Sequence, residues 1–386
     1  MIQDVFIIGA PGRVGKILVE QIIKKEDTDP VRHPNPTRIV GLAVTPKLVD
    51  SPKMFIYSHR GISDEQAYRF ASRDYSASKS YSALDELVEA ADIRTRKNLS
   101  SLVFVDVTPL NEEMVDLHKK IIQETPYGIV TANKNPIALS DYPTFQLLTA
   151  NPKRYGYRCS VMAGADSVPF LQDVPDLNDP LYKIEGCFSG TLGYITSNLE
   201  KGRKFSEILR EAHREGYTET DPRDDLSGLD VARKIIVIAR SAGYEVGIGD
   251  INLSPFIPSE YFNGESIEDF LRNAEKLDKY FAALVESAKR KDNTIRYVAT
   301  MDARGDRPQI DVSLREVVLN SSLGRLQGPK NKILITTEAY PDQDNCYEIG
   351  APGAGLVVTA RNVRRDLMHL LPERTPIQGH WNSHHM

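Results

Sequence analysis

Apolar positions along this chain follow two different periods, and the change between them divides it. Residues 5–8 (VFII) form a short continuous apolar run, the pattern of a strand buried on both faces. Gly9-Ala10-Pro11-Gly12-Arg13-Val14-Gly15 follows, after which Val14, Ile17, Leu18 and Ile22 share one helical face. Residues 38–44 and 102–107 read as further strands, 84–91 as a short helix and 114–122 as an amphipathic helix. Residues 128–131 read as another strand, delivering Ala132-Asn133-Lys134-Asn135-Pro136. Strand and helix alternating at this rhythm predict a doubly wound parallel α/β sheet over residues 1–150. Residues 48–82 are polar and read as surface loop, with Tyr57, His59, Arg60, Arg73 and Lys79 given no role.

The rhythm changes after Asn151-Pro152. Residues 155–162, 182–188, 295–302, 309–314 and 332–338 read as strands. Helical stretches at 192–199, 205–215, 226–242, 267–271 and 274–289 lie between them. This predicts a second, α+β domain over 151–340 with its own sheet. A second glycine turn, Gly350-Ala351-Pro352-Gly353-Ala354-Gly355, precedes an apolar helical stretch at 356–371. The segment 341–371 is expected to pack back on the first domain, and the polar residues 372–386 to form a loose tail.

Composition narrows the class. In 386 residues the chain is 41% hydrophobic and 26% charged, with a formal net charge of −5 spread without blocks. That argues against nucleic acid or an anionic membrane as the main partner. No apolar run is long enough to span a bilayer, and the first residues lack a signal pattern. Three scattered cysteines, Cys159, Cys187 and Cys346, suit a reducing compartment and offer neither a disulfide framework nor a zinc spacing. The expectation is a cytoplasmic protein of enzyme size.

Gly9, Gly12 and Gly15 stand at the first strand–helix junction, where glycines let the backbone approach a pyrophosphate and a helix N-terminus offers free N–H groups. Arg13 and Val14 belong to the same turn, and Gly353 and Gly355 echo it. An NAD site would place an acid at the end of the second strand; here stand Val44-Thr45-Pro46-Lys47. Lys47 or Arg13 can meet a 2′-phosphate, so the reading leans to NADP over NAD, with Lys47 as a solvated loop charge the alternative. Thr108 and Lys134 follow strands at their carboxyl ends, where such sheets bind ligands.

The stretch 216–234, GYTETDPRDDLSGLDVARK, carries Glu219, Asp221, Asp224, Asp225 and Asp230 and ends in Lys234. Asp224, Asp225 and Ser227 are N-cap types for a helix beginning near Leu226. Asp230 and Lys234 are four apart and share a helix face. Their helix is otherwise apolar, which favours a pair pointing into a cleft over a solvated ion pair, and a partly buried lysine suits acid–base work. Carboxylates beside it would hold an ammonium group, so an amino-acid-like ligand fits.

Taken together, Gly216-Tyr217-Thr218-Glu219, Asp221-Pro222-Arg223-Asp224-Asp225-Leu226 and Gly228-Leu229-Asp230-Val231-Ala232-Arg233-Lys234 resemble the signature of homoserine dehydrogenase. Thr131-Ala132-Asn133-Lys134, Ser189-Gly190-Thr191 and both glycine turns fall in the same order, so the resemblance covers nearly the whole chain, in its short monofunctional form. It implies a Rossmann domain, a substrate and dimerisation domain, and a homodimer. It also implies reduction of L-aspartate 4-semialdehyde to L-homoserine by NAD(P)H, on the way to threonine, methionine and isoleucine. Lys134 and Lys234 match the catalytic pair, with Lys234 as general acid. Glu219 and Asp230 match acids that bind substrate or hold that lysine. Gly190, Thr191, Tyr217, Asp224 and Asp225 match pocket positions, and Thr108 and Lys134 lie where the family meets the nicotinamide ribose. The family's monovalent cation, such as sodium, sits on backbone carbonyls of a loop matched by Met162 and Gly164. Here the loop's glutamate is absent, Asp166-Ser167 interrupts its glycines, and Thr220 replaces a proline. The other readings are a related semialdehyde reductase of altered substrate and a non-catalytic NADP-binding paralogue.

Overall fold

The structure, a computed structural model, describes residues 2–45, 52–91, 102–262, 266–352 and 355–371. One compact unit takes the chain up to Cys159 and again from Leu356; the other is Ser160–Gly355.

The first unit opens with β1 (Gln3–Ile8) and α1 (Arg13–Lys24), then β2 (Thr37–Val44), β3 (Met54–Tyr57), α2 (Asp64–Ala71), β4 (Lys79–Ser80) and α3 (Asp85–Ala90). It continues with β5 (Leu102–Asp106), α4 (Glu112–Glu124), β6 (Gly128–Thr131), α5 (Asn135–Ala138), α6 (Tyr142–Thr149) and β7 (Tyr155–Gly156). The sheet order is β4-β3-β2-β1-β5-β6-β7. Strands β2, β1, β5, β6 and β7 are parallel, and β3 and β4 add an antiparallel edge. The chain leaves β1 for β2 on one side and resumes at β5 on the other. Strand order therefore reverses between β1 and β5, which makes the crevice at their carboxyl ends the ligand position of this sheet.

The region 48–82 is not plain loop. It holds β3, β4 and α2, the last started by a capping box between Ser63 and Gln66. β3 is only four residues long, too short for its alternation to stand out from the polar sequence around it. β7 covers only Tyr155–Gly156 where a strand to residue 162 was expected, because the chain tightens into a 3-10 helix at Arg158–Ser160. Met162, Ala163 and Gly164 then have φ of 49°, 52° and 90°, left-handed values that a strand does not adopt.

The second unit contains α7 (Ser167–Asp176), β8 (Leu181–Cys187), α8 (Gly190–Glu200), α9 (Phe205–Arg214), α10 (Pro222–Leu226), α11 (Leu229–Ser241), β9 (Ile251–Leu253) and α12 (Ile267–Asn273). α13 (Asp278–Lys289), β10 (Asn293–Asp302), β11 (Gln309–Val318), β12 (Lys330–Thr337) and β13 (Tyr347–Pro352) complete it. Its sheet runs β13-β12-β8-β10-β11-β9 and is antiparallel except for β11 with β9. Helices α8, α11 and α13 lie against β10. Phe205, Phe256 and Phe281 stack at 4.5 and 5.2 Å between centroids in this core, each ring worth about 2 kcal/mol or more of burial. Arg296, 1% exposed, meets Glu200 at 2.7 Å and donates to the carbonyls of Gly324 and Leu326, so the buried charge is paired although its Nε has no hydrogen-bond partner.

Gly350, Ala351 and Pro352 belong to β13 and pair with β12, so they form strand and not the first half of a glycine turn. Gly353 lies outside the described residues, as do Lys47 and 372–386. From Leu356 the chain rejoins the first unit as α14 (Leu356–Leu370). Gln3 Nε2 donates to the Leu367 carbonyl at 2.8 Å, Arg158 Nε meets Asp366 at 2.9 Å, and Arg364 pairs with Asp27. A Cβ on Gly128 would lie 3.0 Å from Leu370.

Candidate functional site

In the first unit the candidate site is made of backbone. Gly9 follows β1 with φ +89°, a conformation L side chains rarely adopt, and its N–H donates to the Ala43 carbonyl at 2.9 Å. A Cβ there would sit 3.1 Å from Thr108 Cγ2, so the turns after β1 and β5 touch. Gly12 is the N-cap of α1 and supplies no side-chain cap, leaving the first-turn N–H groups for a ligand. A Cβ on Gly15 would lie 2.2 Å from the Gly9 carbonyl oxygen and 2.8 Å from Ala10 Cα. These positions fit a dinucleotide cradle that side chains would fill. Arg13 is exposed and Val14 half-buried.

Thr108 is fixed from behind by Asp106, a residue the sequence reading passed over. The buried Asp106 carboxylate accepts from the Thr108 N–H at 2.8 Å and from its hydroxyl at 2.7 Å. Thr131 Oγ1 lies 3.3 Å from the other carboxylate oxygen, and His118 Nε2 stands 3.4 Å away, its Nδ1 facing the Tyr155 hydroxyl at 2.8 Å. An aspartate two residues before a threonine is an Asx-turn signature and was the available signal. Lys134 follows β6 as the N-cap of α5, with Asn133 tied to the Leu110 carbonyl at 2.8 Å.

In the second unit the site is made of charged side chains. Lys234 Nζ donates to the Phe188 carbonyl at 2.7 Å and to Asp230 Oδ2 at 2.8 Å. The lysine side chain is 13% exposed and that of Asp230 41%. An ammonium has three N–H bonds, and among the described residues no acceptor takes the third. The Phe188 carbonyl, at the end of β8, carried no sequence signal, being backbone 46 residues away.

The helix expected at 226–242 is α11, which starts three residues later at Leu229; a short helix, α10, precedes it, and Gly228 separates the two. Gly228 has φ +76°, and a Cβ there would meet Tyr297 Oη at 1.9 Å. The break lets the acidic segment turn before the apolar helix begins. Asp224 and Asp225 lie within α10 and do not cap α11, whose N-cap is Gly228; Asp221 caps α10, accepting from the Arg223 N–H at 3.0 Å while pairing with its guanidinium. That guanidinium holds the Asp221 carboxyl below its usual range. Ser227 Oγ accepts from the Leu229 N–H at 3.2 Å and so helps to start α11.

Asp225 joins Thr191 and the turn. Thr191 Oγ1 is 2.8 Å from Asp225 Oδ1 and 2.7 Å from the Tyr217 carbonyl, and the Glu219 N–H donates to Asp225 Oδ2 at 2.8 Å. Burial pushes the Asp225 carboxyl up to about 6, beyond what its hydrogen bonds return. Ser189, the residue before Gly190, caps α8 through the Leu192 N–H at 3.1 Å, so Thr191 is left for Asp225. The Tyr217 ring packs on Tyr194 at 4.9 Å. The structure thus brings together Gly190, Thr191, Tyr217, Asp225, Asp230 and Lys234. The Glu219 and Asp224 side chains are exposed. Glu219 enters the network by its backbone.

At the expected cation loop, the Val161 carbonyl accepts from the Gly164 N–H at 3.0 Å and the Met162 carbonyl from the Ala165 N–H at 3.1 Å. Asp166 has φ −76°, so an aspartate there is unstrained. Among the described residues no cluster of three His, Cys, Asp or Glu side chains forms a metal site, and no helix is long and apolar enough to cross a membrane.

The sequence model of a family described as homoserine dehydrogenase matches residues 173–368. A homoserine dehydrogenase of Saccharomyces cerevisiae is 32% identical over 255 residues, covering 64% of this chain and 69% of that protein. A chloroplastic bifunctional aspartokinase/homoserine dehydrogenase 2 of Zea mays is 35% identical over 245 residues, 63% of this chain. The match spans 26% of the maize protein's length. Among solved structures, a Candida auris protein of unknown function superposes with a TM-score of 0.81 at 27% identity, covering 96% of this chain and 98% of that one.

Proposed function

The chain belongs to the homoserine dehydrogenase family, and we propose that it reduces L-aspartate 4-semialdehyde to L-homoserine with NADPH in preference to NADH. The observation that carries the reading is Lys234, held by the Phe188 carbonyl and Asp230 with one N–H left over. A bound nicotinamide dinucleotide supplies the two-electron reducing equivalent. Gly9, Gly12 and Gly15 let the backbone approach its pyrophosphate, with Arg13 and Val14 on the same turn. Thr108, pinned by Asp106, and Lys134 stand at the strand ends where the ribose of the nicotinamide is expected. Gly355 and the Gly353 and Lys47 that lie outside the described residues complete the nucleotide set.

As the aldehyde carbon gains its C–H bond, the carbonyl π pair moves to oxygen, and Lys234 Nζ gives that oxygen its proton. Asp230 orients the ammonium beforehand, and the amine left behind is reprotonated from water. Asp225, Glu219 and Asp224 hold the substrate's ammonium group, with Gly190, Thr191 and Tyr217 shaping the pocket. NADPH is favoured because β2 ends at Val44 and is followed by Thr45, with no acid for a 2′-hydroxyl, and Arg13 on the glycine turn is exposed. The finer parts of the proposal are a homodimer, a cytoplasmic location, and a sodium-sized cation on the backbone carbonyls of Met162 and Gly164.

A panel of small aldehydes tests the reading with either cofactor. Aspartate 4-semialdehyde should give the highest kcat/KM, and NADPH a higher value than NADH. A better aldehyde would make the chain a reductase of altered substrate; nucleotide binding without turnover on any aldehyde would make it a non-catalytic paralogue.

A further inference from the structure

Thr191 has one hydroxyl proton and two acceptor-type neighbours. The Tyr217 carbonyl, at 2.7 Å, can only accept, and Asp225 Oδ1 lies at 2.8 Å. If Asp225 were ionised, one of these short contacts would face lone pair to lone pair. The arrangement is satisfied throughout when Asp225 donates to Thr191, Thr191 donates to the Tyr217 carbonyl, and Asp225 Oδ2 accepts from the Glu219 N–H. We propose that in the ligand-free protein Asp225 is a neutral carboxylic acid closing this chain of hydrogen bonds, and that a substrate ammonium group replaces its proton. Binding then expels a proton, and the binding reaction balances as neutral Asp225 plus the ammonium group of a zwitterionic amino acid giving an ion pair and a released proton. This rests on the reading that the acidic stretch holds the substrate's ammonium group.

The surroundings agree. Glu219 on the turn and Asp230 on α11 both raise the cost of a further negative charge at Asp225. Asp230 is paired with Lys234, Asp221 with Arg223, and His213 at the end of α9 faces the Thr218 hydroxyl at 3.1 Å. Lys234, Arg223 and His213 therefore have partners other than Asp225. The carboxyl is pushed up to about 6, and burial is the largest cause. Removing that burial penalty by supplying an opposite charge is what a bound ammonium would do.

Two measurements on the full chain test this. In the ligand-free protein, carbon NMR of labelled aspartate carboxyls, with the Asp225→Asn spectrum to assign the signal, should show Asp225 titrating near pH 6. Titration below pH 4.5 overturns the proposal whatever the substrate proves to be. Calorimetry of homoserine binding in buffers of different ionisation enthalpy should show about 0.7 proton released per ligand at pH 5.5 and near zero at pH 8. Binding of homoserine without a proton released at pH 5.5 also overturns it. If homoserine fails to bind at every pH while Asp225 titrates near pH 6, the neutral acid stands and the substrate reading falls. Asp225→Asn, whose amide can donate to Thr191 and accept from Glu219, should keep the fold and abolish the proton release.

Discussion

The two candidate sites are built from opposite materials. After β1 the proposed nucleotide site is a backbone surface, in which Gly9, Gly12 and Gly15 would act by lacking side chains and their neighbours through N–H groups. Around α11 the candidate substrate site is a set of charged side chains, Asp225, Asp230 and Lys234, each held by a named partner. The difference follows from the ligands. A pyrophosphate is recognised by dipoles that need no proton, so its site is insensitive to pH and sensitive to any added atom. A reaction that ends in an alcohol needs a proton placed at one atom, so its site is sensitive to pH and to the loss of one side chain.

The largest effect expected is at Lys234. Lys234→Ala should lower kcat by about 10²–10⁴-fold, the usual contribution of a positioned acid, while NADPH affinity, measured by fluorescence titration, stays within about twofold. A parallel loss of NADPH affinity would erase the division of labour. Gly15→Val should act in the reverse sense. Its side chain would start 2.2 Å from the Gly9 carbonyl oxygen, on backbone that cannot yield. A cost of about 1–3 kcal/mol or more is expected, visible as a lowered melting temperature and lost NADPH binding. The isolated chemistry at Lys234 is untouched by that change.

A pH series separates the sites next. With Asp225 at about 6, homoserine affinity should fall about tenfold between pH 7 and pH 5 as the carboxyl gains its proton. NADPH affinity should vary less over that interval. The stability sign is opposite. A carboxyl raised from 3.8 to about 6 on folding favours the folded state below pH 3.8, and that contribution is lost as pH rises through 6. Asp225→Asn should flatten that part of the melting curve against pH. The smallest effect is expected at Ala163, which sits at φ 52° between Met162 and Gly164. Ala163→Gly relieves a left-handed alanine but loosens the unfolded chain, so the net should lie within about 1 kcal/mol by denaturant titration.

Some of this was open to reading from the chain alone. The run at residues 5–8, the glycines after it and the helical face of α1 announce one another, because strand, turn and helix are all local. Asp230 and Lys234 are four apart on one helix, and the structure joins them at 2.8 Å. What stayed hidden is contact at long range or through backbone. The Phe188 carbonyl that holds Lys234 has no side-chain identity to read. Gly228 leaves no room for a Cβ beside Tyr297, which is remote in sequence, so nothing local showed that α11 begins only after this glycine. β3 is a strand of four residues, second from the sheet edge, whose pairing with β2 compensates for its weak pattern. Asp106 was visible as an Asx turn before Thr108, but only the fold shows that this turn meets Gly9.

The most direct test of the account is the stoichiometry of one reaction. Wild-type protein is given NADPH and L-aspartate 4-semialdehyde, nucleotide oxidation is followed by absorbance, and the product is identified by chromatography against homoserine. The account predicts one homoserine formed for each NADPH oxidised, at a rate that Lys234→Ala cannot approach. NADPH bound but not oxidised, or oxidised equally fast by the Lys234→Ala protein, would contradict it.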